Sequence, residues 1–98
     1  MIYLISNITP DIALLKIGYT NNINKRMSTY KTHNPTFNLL YVGEGNKENE
    51  KFLHLYFERY RHESSKEWFY YTPIITEYFK YRTNGTILDE VLINPILY

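Results

Sequence analysis

The sequence predicts an α+β domain, a small three-stranded antiparallel β-sheet flanked by helices in the order β-β-α-β-α-α. Three observations carry that reading. Two short apolar stretches near the N-terminus are separated by a single turn, which is hairpin spacing. Apolar residues recur at helical spacing in three later stretches. A third strand-like stretch falls between the first two of these helices, so sheet and helices form separate layers.

Met1 to Ser6 reads as a strand, with Ile2, Leu4 and Ile5 strand-compatible and Tyr3 on the face opposite its neighbours. Asn7 to Asp11, containing Pro10, is a turn, and Ala13 to Tyr19 is a second apolar strand positioned to pair with the first. Asn21 or Asn22 caps a helix running to about Thr32, with Ile23, Met27 and Tyr30 at helical spacing. Asn34-Pro35 breaks the chain before a third strand, Phe37 to Gly43. From Lys47 to about Arg61, Phe52/Leu53, Tyr56/Phe57 and Tyr60 define an amphipathic helix. Trp68 to Tyr71 is a short extended segment. Pro73 opens the last helix at its favoured first-turn position, and Asn84-Gly85 closes it. No state is assigned to the tail from Thr86 to Tyr98.

At 98 residues the chain is expected to be one domain, with a motif-bearing core at 1–70 and a C-terminal helix and tail at 73–98. Hydrophobic content of 44% and aromatic content of 17% mark a globular protein. No apolar run has the length of a membrane span, and the N-terminus lacks a basic region followed by an apolar stretch. Without cysteine there are no disulfides or thiolate metal sites, so an intracellular location, cytoplasm or nucleus, is expected. A net charge of +1 supplies no global footprint for nucleic acid, so any such contact must come from local clusters.

Tyr3, the Lys16-Ile17-Gly18-Tyr19-Thr20 segment and Arg26 stand out as chemistry. Strand, turn, strand and helix bring a phenol, an ammonium and a guanidinium to one place, a set that suits an anionic substrate such as a phosphodiester. Each residue also has a plainer reading. Tyr3 could pack its ring, Lys16 could be an edge-strand lysine in solvent, and Tyr19 could fill core instead of facing the site. Gly18 permits close backbone approach or a bend. Arg26 and Tyr30, at i and i+4, share one helix face.

The ordered set resembles the GIY-YIG nuclease superfamily over roughly Met1 to Tyr70. Ile2-Tyr3 is similar to the end of the first family motif, Ile17-Gly18 to the end of the second, and Arg26 to the arginine of the following helix. Glu50, Leu53-His54 and Glu67-Trp68-Phe69 resemble a phage- and virus-type branch in which KIG, an arginine, E-x-x-L-H and EWF recur in this order. Met1 stands where the first motif has glycine, Lys16 where the second usually has tyrosine, and Tyr30 where histidine is frequent.

The resemblance implies a metal-dependent endonuclease acting on DNA, with Tyr3 as general base and Lys16 and Arg26 as electrostatic stabilisers. Glu50 would ligate one Mg²⁺ or Mn²⁺, ions that keep much of their hydration. Tyr19, Tyr30, His54 and His33, the last in the loop beside Asn34-Pro35, are expected to contact substrate. Lys16 is expected to favour the phenolate of Tyr3, and Glu67 to anchor a loop or pair with Arg59 or Arg61. Two other readings remain open: a nucleic-acid-binding module without turnover, and a tyrosine-rich interaction domain, with a homodimer formed through Tyr70, Tyr71, Tyr78 or Tyr81.

Overall fold

The computed structural model describes residues 1–34, 36–63, 65 and 67–81, together with the backbone of 85–87. Pro35 of the expected chain break, the helix stop at Asn84 and the tail from 88 to 98 lie outside the described residues. β1 (Ile2–Ile8) and β2 (Ala13–Tyr19) form an antiparallel hairpin that sets Tyr3 opposite Gly18 and Ile5 opposite Lys16. Thr9 closes the turn, its backbone N–H donating to Ile12 O and its hydroxyl accepting from Ile12 N–H. β3 (Phe37–Gly43) pairs antiparallel with the other side of β1, with a register shift between Leu4 and Ile5.

The sheet is wider than the three strands expected. β4 (Trp68–Tyr70) adds to β2 and β5 (Gly85–Ile87) to β3, giving five strands in the order β4-β2-β1-β3-β5. A three-residue strand has too little sequence to show a period of two. It is strand only because a neighbour supplies the ladder, here Leu14–Lys16 for β4 and Tyr41–Gly43 for β5.

The register assigns the two faces of the sheet. Ile2 and Leu4 of β1 share a face with Leu15 and Ile17 of β2 and with Phe69 of β4. α2 (Lys47–Tyr56) and α3 (Pro73–Lys80) cover that face, and Leu53, Phe57, Ile75 and Phe79 complete a fully buried core there. Burial of these large apolar side chains, each worth about 1.5–3 kcal/mol, is the main stabilising term. Tyr3, Ile5, Lys16 and Gly18 lie on the opposite face, where α1 (Ile23–His33) sits through Tyr30, whose ring meets those of Tyr3 and Phe37.

Local signals account for the helix ends. Asn22 caps α1 by accepting from Lys25 N–H at 3.1 Å, which decides between Asn21 and Asn22. Asn46 and Asn49 form a reciprocal capping box on α2. Thr72 caps α3 with Pro73 in its first turn. α2 stops at Tyr56, not near Arg61; a 3-10 turn over Glu58–Tyr60 follows, and Arg61 takes extended backbone to bridge Phe69. Its apolar spacing continues past Tyr56, but that bridge to the sheet overrides it. Among the described residues no helix is long and apolar enough to cross a membrane.

Candidate active site

Gly18 explains how a phenol fits inside this face. Its φ is negative, so backbone freedom is not the reason for glycine here. A Cβ at this position would overlap Cζ and Oη of Tyr3 on the paired strand. The missing side chain is the space in which the Tyr3 ring lies, with no solvent exposure. Its hydroxyl emerges toward α1, 3.3 Å from the Tyr30 hydroxyl and 3.4 Å from the Arg26 Nη1 that donates to it. Both distances exceed the usual hydrogen-bond range, so the cluster is assembled but not tightly closed. Catalytic hydrogen bonds of this length commonly shorten when substrate binds.

Burial dominates the electrostatics of Tyr3. Removal from water, and then the hydrogen bond with Tyr30, push its proton affinity far above that of a free phenol; the cations Lys16 and Arg26 act in the opposite direction and lose. Lys16 does favour the phenolate, as expected, but burial outweighs it and the net shift is upward. Tyr30, half-buried, is also raised by burial, with Tyr3 and Arg26 opposing.

Lys16 is not a solvated edge lysine. β2 lies between β1 and β4, and Lys16 is only 8% exposed. Its ammonium sits 3.0 Å from Glu67 Oε2 and 4.8 Å from the centre of the Tyr30 ring, with Trp68 at 5.9 Å. A carboxylate and two aromatic faces therefore share the charge that sequence reasoning assigned to the phenol. Glu67 pairs with Lys16, and not with Arg59 or Arg61. Arg61 instead donates to His54 O at 3.0 Å and lies over Phe69. The Glu67-Trp68-Phe69 run was visible as a motif, but its partner lies 51 residues away and no local signal names it.

Beside this cluster, Tyr19, Thr20, Asn21, Arg26 and Lys47 line a shallow polar groove. It continues along α1 through Asn22, Lys25 and Thr29. The description "T5orf172 domain" matches residues 1–90. The chain belongs to the T5orf172 domain family. No curated protein and no solved structure matches it.

Within this T5orf172 domain the remaining expected site residues are less tightly grouped. Glu50 is on α2, which covers the sheet face opposite Tyr3. It is half-buried and has no side-chain hydrogen bond or ion pair among the described residues. It shares a helix face with Lys47, one turn earlier, whose side chain reaches the Tyr19–Arg26 groove. A single unengaged carboxylate fits Mg²⁺ or Mn²⁺ holding most of its own water. Tyr19 is half-buried; it packs against the core and also lines the groove.

His54 donates from Nε2 to Ile17 O at 2.8 Å and packs on Phe69. β4 ends its pairing at Lys16, so the imidazole takes the ladder position that β4 leaves unfilled. This ties α2 to the strand carrying Lys16 and Gly18. His33 belongs to the last turn of α1 and not to the following loop; its Nδ1 bonds Thr29 O at 3.0 Å, as a C-terminal helix histidine does.

Proposed function

We propose that this T5orf172 domain is a metal-dependent endonuclease that hydrolyses DNA phosphodiester bonds on a GIY-YIG-type site. The family is a phage-derived domain associated with GIY-YIG-like folds, which supports the reading. The single observation that carries it is the space left by Gly18, which lets a buried phenol reach the guanidinium of Arg26. A core tyrosine does not need its hydroxyl directed at an exposed arginine.

In this reading Arg26 directs its planar fork at the non-bridging oxygens of the scissile phosphate, a geometry that lysine cannot reproduce. Tyr3 Oη, shielded from solvent beside Tyr30 and Arg26, accepts the proton of the attacking water once one of these long contacts opens to admit it. Only the phenolate can do so, and burial keeps the proton on Tyr3 in the free protein. The competent form is therefore scarce at neutral pH, and the rate rises with pH. Lys16 contributes its charge through space while Glu67 and Tyr30 hold the ammonium in place. Glu50 would hold a divalent ion, which when bound polarises the phosphate and neutralises charge on the leaving oxygen.

A nucleic-acid-binding module without turnover is the second reading, favoured by the ion pair that occupies Lys16 and by the protonated state of Tyr3. Cleavage of supercoiled plasmid by wild type and Tyr3→Phe separates the two. The enzyme reading expects Tyr3→Phe to fold and to lose about 10²-fold or more in rate. Rates within a few-fold of wild type would return Tyr3 to the core. Bound but uncut DNA with both proteins would favour the module.

A further inference from the structure

α1 is an unusual helix for a small domain. None of its residues is buried, and it holds no acidic residue while carrying Lys25, Arg26, Lys31 and His33. It therefore has no i,i+4 ion pair to support it, and Lys25 and Arg26 stand in the first turns, where the helix macrodipole disfavours cations. A helix with so little apolar face is marginal on its own. Asn22 caps the start of α1 and Lys31 and His33 sit favourably in its last turn, so the rule left broken is the pair of cations Lys25 and Arg26 at its N-terminal end, and such a local conflict is expected at a functional site.

The charge is asymmetric along the whole chain despite a net value of +1. Asp11 is the only acid before Glu44, while Lys16, Lys25, Arg26 and Lys31 fall in that stretch. At 100° per residue, Lys25 stands at the centre of the outward face of α1, with Arg26 and Lys31 on opposite flanks. Lys25, Lys31 and Lys47 make no ion pair among the described residues. The hydroxyls of Thr29 and Thr32 donate back to Lys25 O and Ser28 O, and Asn22 already caps the helix start. Asn24 and Ser28 are also exposed without a side-chain partner among the described residues, so the groups left for a partner are the cations and small polar groups, and the groove beside Arg26 and Lys47 extends their surface.

We infer that Lys25 on the outward face of α1, with Lys31 on the flank beside β3 and the Arg26–Lys47 groove on the other flank, contacts the phosphate backbone of duplex DNA. In taking DNA as the partner the inference rests on the nuclease reading, but it requires no turnover. Contacts of this kind are indifferent to base sequence and sensitive to salt.

The test is equilibrium binding to a labelled duplex in EDTA over a range of salt, by fluorescence anisotropy. Wild type is compared with the double variant Lys25→Gln/Lys31→Gln and with Arg59→Gln, which removes an exposed charge outside α1 and the groove. Four phosphate contacts imply a slope of log K against log salt of about −3.6, falling to about −1.8 in the double variant. Arg59→Gln should leave the slope unchanged, and circular dichroism should find both variants folded. An unchanged slope in the double variant, an equal loss per charge in Arg59→Gln, or no duplex binding by wild type would each overturn the inference. Because EDTA prevents metal-dependent cleavage, the outcome is independent of catalysis. A protein that binds this way yet never cuts would defeat the nuclease reading and leave the binding surface standing.

Discussion

Replacing Gly18 by alanine adds one methyl group at the place where the account is most exposed. That methyl would occupy the space of Cζ and Oη of Tyr3, a side chain with no solvent exposure and therefore little freedom to retreat. Either the β1–β2 pairing opens locally or the phenol leaves Arg26 and Tyr30. Overpacking of this kind costs about 1–3 kcal/mol. Alanine in a strand returns about 0.5–1 kcal/mol relative to glycine, so from the middle of each range a net loss of about 1 kcal/mol is expected. In a domain of this size that lowers Tm by about 4–8 °C. Urea denaturation followed by circular dichroism measures it, and the same change in a Tyr3→Leu background supplies the control. With the ring gone, the alanine should cost nothing or stabilise. Cleavage should fall with stability in the wild-type background, because the hydroxyl can no longer reach Arg26. Unchanged stability in Gly18→Ala, or an equal loss in the Tyr3→Leu background, would refute the claim that Gly18 exists to seat this phenol.

Arg26→Lys keeps the charge and the helix propensity but loses the planar fork; cleavage should fall at least about tenfold with thermal stability nearly unchanged, and equal activity would reduce Arg26 to a simple charge. Alkaline stability carries a further prediction. Tyr3 holds its proton more tightly folded than unfolded, and burial raises Tyr71 to about 12. Below about pH 10 both states keep these protons and stability is flat. Above it the unfolded chain releases them first, so stability falls by about 1.4 kcal/mol per pH unit per phenol until the folded group titrates. Urea titrations at pH 9 and pH 11 should reveal that loss, and Tyr3→Phe should make it smaller by one phenol; an identical loss in the variant would contradict the burial effect. The cleavage rate should likewise keep climbing past pH 10 without a plateau.

Much of the fold was readable because its long elements carry their own periodicity. β2 and β3 run as expected from Ala13 to Tyr19 and from Phe37 to Gly43, and Asn22 and Pro73 mark helix starts by local chemistry. Trp68 to Tyr71 was readable as extended, but that it joins the sheet as β4, and that Gly85–Ile87 forms β5, was not, because three residues become strand only through pairing. The early end of α2 was hidden for a similar reason: Phe57 and Tyr60 continue a helical spacing while Arg61 is drawn into the sheet.

The site divides along the same line. Tyr3, Arg26 and Tyr30 could be grouped from a strand and a helix face, and they do meet. That burial would outweigh two cations at Tyr3 depends on packing against α1, which no spacing reports. The Lys16–Glu67 pair and the bond from His54 to Ile17 O join segments far apart in sequence. They follow from the topology alone.

The measurement that bears most directly on the account is metal-dependent plasmid cleavage by wild type and Glu50→Ala. Glu50 is half-buried on α2 with no partner among the described residues, so alanine should cost the fold little. The account predicts nicking by wild type in Mg²⁺ or Mn²⁺, none in EDTA, and loss of nicking in Glu50→Ala with DNA binding retained. Metal-dependent cleavage that survives unchanged in Glu50→Ala would contradict the metal role assigned to this carboxylate, and no cleavage by wild type under any divalent ion would contradict the enzyme.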